Sequence, residues 1–328
     1  MIEKSGDTGG MGDTDDTDDT CADGTTGTTG DDVFVTHRRL LFGTAYRMLG
    51  SVADTEDVLQ DAWIKWAAVD RSTVGNPRAY LVRIVTNLCL TRLTSARARR
   101  ETYVGPWLPE PLLTGTGTGL GTGLGSEPDA AEEVETAESV SLAMLVVLES
   151  LSPLERAVFV LREAFGFSYA EIADATDRAE ATVRQTGHRA RSHVQARRPR
   201  YDTDDGARRE ITEKFLAACT GGDLNAMLEL LAPDVTAWSD GGGKVTAARR
   251  PLYGPDHVAR WFLGVLAKPG LEAVRGEAAG INGQSGVLFT VDGYPVGALA
   301  LEAVDGRIQE LRFQVNPDKL AGLTRRSA

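Results

Sequence analysis

The sequence predicts a multidomain chain in which two all-α domains are followed by an α+β domain. Three observations carry this. Apolar residues recur at helical spacing over residues 33–100 and again from Val134 to Ala196. A Pro-stiffened and then Gly-Thr-rich stretch, residues 102–130, separates the two helical runs. Beyond residue 206, short helices give way to strands joined by Asp292-Gly293 and Asp305-Gly306, dipeptides that favour hairpin turns. A length of 328 residues with 42% hydrophobic content is enough for each part to bury a core.

Residues 1–32 are mostly Asp, Thr and Gly and read as a disordered acidic tail, because they bury too little to offset the entropy of ordering. Ten acidic residues face the single Lys4 there, so this segment holds nine of the net −12 charges. The rest is nearly balanced, with local basic runs at Arg92-Arg97-Arg99-Arg100 and Arg184-Arg189-Arg191-Arg197-Arg198-Arg200. Nucleic acid therefore stays in play. No apolar run approaches the roughly 20 residues of a membrane helix, and the start lacks a basic and apolar leader, so the expectation is a cytoplasmic protein. Cys21, Cys89 and Cys219 are far apart, which leaves no disulfide framework and no metal site in view.

The first domain, 33–101, opens with Phe34, Leu41, Ala45 and Met48 on one helical face. Ser51, with Asp54 three residues on, suggests a capping box before a helix whose buried stripe is Val58, Leu59, Ala62 and Trp66. Asn76-Pro77 starts a third helix with Leu81, Ile84, Val85 and Leu88 inward. In the second domain, 131–200, Ser152-Pro153-Leu154-Glu155 caps a helix that Gly166 closes. Ser168 to Glu171 cap a short helix, a turn spans Thr176 to Ala179, and a longer helix runs from about Glu180 to Ala196. This is a helix-turn-helix. The third domain, 207–320, predicts helices near 207–220, 223–231 and 255–266 against a curved antiparallel sheet, with strands near 235–238, 271–279, 285–291, 296–303 and 307–315.

In a helix-turn-helix the second helix enters the major groove by its N-terminal turns. That places Arg184, Gln185, His188 and Arg189 toward bases and Arg191, Arg197 and Arg198 toward phosphates.

These residues resemble the sigma-70 family of bacterial transcription initiation factors, in its extracytoplasmic-function branch. Asp54-Thr55-Glu56-Asp57-Val58-Leu59-Gln60-Asp61-Ala62-Trp63 is similar to the region 2 signature. The resemblance implies that Asp54, Asp57, Gln60 and Asp61 dock on the β′ clamp helices of core RNA polymerase, whose β subunit is also a partner. Asn76-Pro77-Arg78-Ala79-Tyr80-Leu81 through Asn87-Leu88 resembles the helix that opens and reads the minus-ten element, with Arg83, Asn87 and Arg92 as DNA contacts. The Glu171 to Arg191 segment resembles region 4, reader of the minus-thirty-five element. The sequence departs from such factors at Thr91, where Asp is common, at Asp177, often Gly, and at Ala179, often a Ser cap.

Trp107-Leu108-Pro109-Glu110-Pro111, Asp240-Gly241-Gly242-Gly243-Lys244 and Asn316-Pro317-Asp318-Lys319-Leu320 resemble the marks of members fused to a C-terminal SnoaL-like cone domain of the nuclear-transport-factor-2-like superfold. The resemblance implies regulation by the fused domain without a separate anti-sigma factor. Trp107, Pro109, Asp240, Lys244, Asn316 and Asp318 are then the candidate regulatory interface. The superfold also hosts isomerases and cyclases, and Trp238, Asp240, Tyr253, His257 and Trp261 are candidate pocket residues. The simpler reading has both tryptophans in the core, Asp240 and Lys244 shaping a glycine-rich turn, and His257 as an ordinary helix residue. No catalytic residue and no cofactor are assigned; a small ligand of this domain stays open. The resulting expectation is a promoter-specificity subunit. Its rival is a DNA-binding regulator with a ligand-binding or enzymatic C-terminal domain.

Overall fold

The computed structural model describes residues 30–114, 140–197 and 205–323. The acidic tail before Gly30, the Gly-Thr repeat, the predicted helical turns before Val140, and Arg198 and Arg200 lie outside the described residues.

The first module is α1 (Gly30–Leu49), α2 (Val52–Ala67) and α3 (Pro77–Glu101), closed around Leu41, Met48, Val58, Trp66, Leu81 and Val85. Ser51 caps α2 by accepting from the Asp54 backbone N–H at 3.1 Å, which is half of the expected box. Asp54, one methylene shorter than the Glu or Gln that completes such a box, turns instead toward Arg92. Asn76 caps α3 as expected, its Oδ1 accepting from the Ala79 N–H at 3.1 Å.

The second module is α4 (Leu142–Glu149), α5 (Pro153–Phe159) with a π turn over Val160–Ala164, α6 (Tyr169–Thr176) and α7 (Glu180–Arg197). Both predicted capping boxes, Ser152 with Glu155 and Ser168 with Glu171, are complete. Asp177 turns the chain between α6 and α7 in the left-handed conformation, φ 53°, which a short polar side chain tolerates.

The third module carries α8 (Asp205–Gly221), α9 (Leu224–Leu230), α10 (Pro255–Leu266) and α11 (Pro317–Leu320) with strands β1 (Leu113–Thr114), β2 (Leu231–Asp240), β3 (Leu252–Tyr253), β4 (Arg275–Ile281), β5 (Gln284–Val291), β6 (Tyr294–Val304) and β7 (Arg307–Gln314). The sheet order is β1-β4-β5-β6-β7-β2-β3. Two expectations are corrected here. The sheet is mixed, because β2 pairs with β7 in parallel, Trp238 opposite Arg312. β2 reaches that position through α10 and the β4–β7 meander, a connection long enough to permit parallel pairing. And the sheet gains an edge strand that was not expected, Leu113 and Thr114 of the linker lying opposite Ile281 and Gly280. The hairpin turns place Asn282, Asp292 and Asp305 at φ near +50° before a glycine.

Both faces of this sheet are covered. Val287, Leu299, Leu301, Leu311 and Phe313 pack with Phe215 and Phe262 of the domain's own helices. Ala279, Ile281, Leu288, Ala298 and Ala300 share a core with the two helical modules. β6 alternates Leu and Ala over Ala298–Leu301, so its small side chains face the helical modules and admit a close approach.

Candidate nucleic-acid interface and linker clasp

α7 presents Arg184, Gln185, His188 and Arg189 on one exposed side, while Val183, Gly187, Ala190 and Val194 are buried against α5 and α6. Gly187 eases that close contact: a Cβ there would stand 3.1 Å from the Tyr169 ring. Arg184 pairs with Glu180, Arg189 lies 3.6 Å from Glu155, and half-buried Arg191 is 2.5 Å from Glu163. Ion pairs this exposed are worth at most about 1 kcal/mol, so phosphates can replace their carboxylates at small cost.

The α2 row holds Asp54, Asp57, Gln60 and Asp61, with Asp57, Gln60 and Asp61 exposed. Arg92 of α3 reaches across to all three carboxylates, at 3.5 Å to Asp54, 3.1 Å to Asp57 and 3.3 Å to Asp61. Expected on DNA, Arg92 is here part of the acidic surface; only the packing of α3 on α2 brings it there. Arg83 is exposed on α3. Asn87 donates its amide to the carbonyl of Ala175 in α6 at 3.1 Å, and Thr91 bonds back to the Asn87 carbonyl at 3.0 Å. Arg156, fully buried between the modules, donates Nε–H to the Arg47 carbonyl at 2.9 Å and pairs with Glu149.

The three marked segments meet at one point. Asp240, wholly buried, accepts from the Leu108 N–H at 2.8 Å, the Tyr103 hydroxyl at 2.6 Å, the Gly242 N–H at 3.0 Å and the Lys319 ammonium at 2.7 Å. Lys319 also donates to the Leu108 carbonyl at 2.6 Å and lies 4.2 Å from the Trp107 ring centre and 4.9 Å from that of Tyr103. Gln314 donates to the carbonyl of buried Pro109 at 3.3 Å, and Asn316 to the Tyr103 oxygen at 2.9 Å. Gly242, at φ +60°, leaves room for Asn316, whose amide nitrogen would lie 2.3 Å from a Cβ. Lys244 and Asp318 form an exposed ion pair at 2.6 Å on the rim. Burial and the Asp240 carboxylate raise the Tyr103 hydroxyl above its ordinary range, so it stays a donor.

A second joint lies beside this clasp. Glu110 accepts from the Ser51 hydroxyl at 3.0 Å and from the N–H groups of Val52 at 2.6 Å and Ala53 at 3.3 Å, so the linker satisfies first-turn donors of α2 that Ser51 leaves open. Burial raises the Glu110 carboxyl although these bonds oppose the rise. Asn282 donates to Tyr46 at 2.8 Å and accepts from the Leu112 N–H at 3.0 Å, while Tyr46 donates to the Glu110 carbonyl at 2.6 Å. Sequence reasoning missed Tyr103, Glu110, Asn282, Gln314 and Lys319 as contact residues. Glu110 and Lys319 stood inside quoted motifs, and Asn282-Gly283 is a turn dipeptide; Tyr103 and Gln314 carry no local signal.

Asp240 thus does more than shape a turn. Of the other pocket candidates, Trp261 packs edge-on to Phe262, Tyr253 and His257 are exposed with His257 Nδ1 3.2 Å from the Tyr253 carbonyl oxygen, and Trp238 lies under Arg312. These residues do not converge on a common site.

Comparison with known proteins matches Sigma-70 region 2 to residues 33–99 and Sigma-70, region 4 to residues 141–194. ECF RNA polymerase sigma factor SigJ of Mycobacterium tuberculosis is 40% identical over 299 residues, 88% of this chain and 92% of SigJ. Probable ECF RNA polymerase sigma factor SigI of the same species is 32% identical over 284 residues, 87% of this chain and 92% of SigI. The crystal structure of M. tuberculosis SigJ superposes with a TM-score of 0.68 at 36% identity, covering 88% of this chain and 97% of that one. Identity spread over both helical modules and the C-terminal domain shows that the chain belongs to the extracytoplasmic-function RNA polymerase sigma factors, which bind core polymerase and promoter DNA to start transcription.

Proposed function

We propose that this sigma factor rests in a closed form, in which its C-terminal domain holds the two promoter-reading modules against each other, and that polymerase engagement opens it. The supporting observation is the Asn87 amide on the Ala175 carbonyl, 3.1 Å apart. The minus-ten and minus-thirty-five elements are named for positions about 25 base pairs apart, about 85 Å at ~3.4 Å per base pair. Modules in hydrogen-bond contact cannot read both.

In the open form Asp54, Asp57, Gln60 and Asp61 dock on the β′ clamp helices. Arg83 and Asn87 meet the minus-ten strand, Arg92 stays with the docking row, and Arg184, Gln185, His188 and Arg189 read the upstream element with Arg191 on phosphate. The C-terminal domain works by contact, not turnover, through Trp107, Pro109, Asp240, Lys244, Asn316 and Asp318. It does in cis what an anti-sigma factor does in trans, so none is required, and the protein acts in the cytoplasm beside polymerase.

A bismaleimide bridge between Asn87→Cys and Ala175→Cys, in a Cys21→Ser background, tests this. The bridged protein should lose the promoter-dependent transcription that the same variant shows with purified core polymerase before bridging. Equal transcription by the bridged protein overturns the closed-form reading.

A further inference from the structure

A cleft of about 410 Å³ opens where the linker crosses the sheet, between Trp107, Val146 of α4, Trp238 of β2, Arg312 of β7 and the loop residues Arg249 and Arg250. It is separate from the interior of the cone, which the rings of Phe215, Phe262, Phe289 and Phe313 fill. Three guanidinium groups line it and no carboxylate does. Arg312 is 4% exposed and its Nη2 pairs with Glu310, yet its Nη1 has neither solvent nor a hydrogen-bond acceptor. Glu310, with buried Glu302 close by, offsets Arg312 and Arg208; Arg249 and Arg250 are exposed and form no ion pair among the described residues. The cleft therefore carries surplus positive charge beside two indole walls.

We propose that this cleft is a binding site for a small organic acid with a flat apolar body. The body lies against Trp107 and Trp238, whose indoles offer wide apolar faces. The carboxylate is held by the exposed Arg249 and Arg250, since guanidinium groups match planar carboxylates. Trp107 is shared: the same ring faces Lys319 in the clasp. An occupant thus touches the residue that secures the linker, and on the closed-form reading above it would also shift the open and closed populations. Binding itself does not depend on that reading.

Isothermal titration calorimetry of the full chain with 2-naphthoate tests the site, with 2-naphthalenemethanol and inorganic phosphate as comparison probes. Saturable one-to-one binding of 2-naphthoate is expected, at least tenfold tighter than either comparison. Arg249→Ala/Arg250→Ala, both exposed and so compatible with folding, should weaken it at least tenfold with an unchanged melting temperature. Trp238→Leu should weaken 2-naphthoate while sparing the clasp. No saturable binding, equal affinity for the alcohol or for phosphate, or undiminished binding by the double arginine variant overturns the proposal. Binding with no change in transcription would preserve the site and separate it from the closed-form reading.

Discussion

Lys319 Nζ stands 2.7 Å from the Asp240 carboxylate, and the pair is withdrawn from solvent, with side-chain exposures of 9% and 0%. Both residues belong to the C-terminal domain, yet the bonds that complete their shells come largely from the linker: the N–H and carbonyl of Leu108 and the hydroxyl of Tyr103. A buried pair contributes little net energy of its own and a great deal of specificity to where it fits. Here it selects one register of the linker.

Asp240→Asn should therefore destabilise the fold by about 3–5 kcal/mol, since it removes the carboxylate that neutralises the buried Lys319 ammonium. Lys319→Met should cost less, because Asp240 keeps four donors, from Leu108, Tyr103, Gly242 and Gln314. The double variant should be more stable than the sum of the two losses. Urea unfolding of the four proteins measures this, and a change below about 0.5 kcal/mol for Asp240→Asn would show the pair to be incidental.

Glu110→Ala should cost about 1–2 kcal/mol by leaving the Val52 and Ala53 N–H groups of α2 without their acceptor. The loss should be local. Hydrogen exchange at the amides of Val52 and Ala53 is expected to quicken, with the amides of α7 unaffected.

Asn282 combines a left-handed backbone, φ +51°, with side-chain bonds to Tyr46 and Leu112. Asn282→Gly keeps the turn and removes only the bonds; Asn282→Ala also adds roughly 1–2 kcal/mol of conformational strain. Alanine should therefore be the more harmful in thermal unfolding. Equal melting temperatures for the two would mean that the turn is not held left-handed.

Arg92 neutralises the acidic row of α2 from within. Asp57→Arg should weaken binding to core polymerase in a competition pull-down. Arg92→Ala should leave binding intact or tighten it up to about fivefold, because an exposed network holds at most about 1 kcal/mol. A loss as large as that of Asp57→Arg would place Arg92 in the docking contact itself.

Arg184→Ala should relax upstream specificity at one or two positions, costing roughly 1–3 kcal/mol there. Arg191→Ala should weaken binding evenly across a base-substituted promoter series and reduce its salt dependence.

Features set by neighbouring residues were legible in the sequence: the caps at Asn76, Ser152 and Ser168, the Asp177 turn, and the hairpins at Asp292 and Asp305. Each depends on backbone conformation and hydrogen bonds within about four residues, so the local sequence states it. The face from Arg184 to Arg189 was legible for the same reason, as spacing on one helix, while the row from Asp54 to Asp61 was given by the resemblance to the region 2 signature. Tertiary structure alone decided the parallel pairing of β2 with β7, the edge strand Leu113–Thr114, and the reach of Arg92 across α2. It also decided that Ser51 is bonded by Glu110 and that Lys319, an ordinary surface residue type, is buried among Asp240, Tyr103 and Trp107. Such contacts join residues 30 to more than 200 positions apart, and their energy comes from desolvation and bonding shared by partners that no local pattern names.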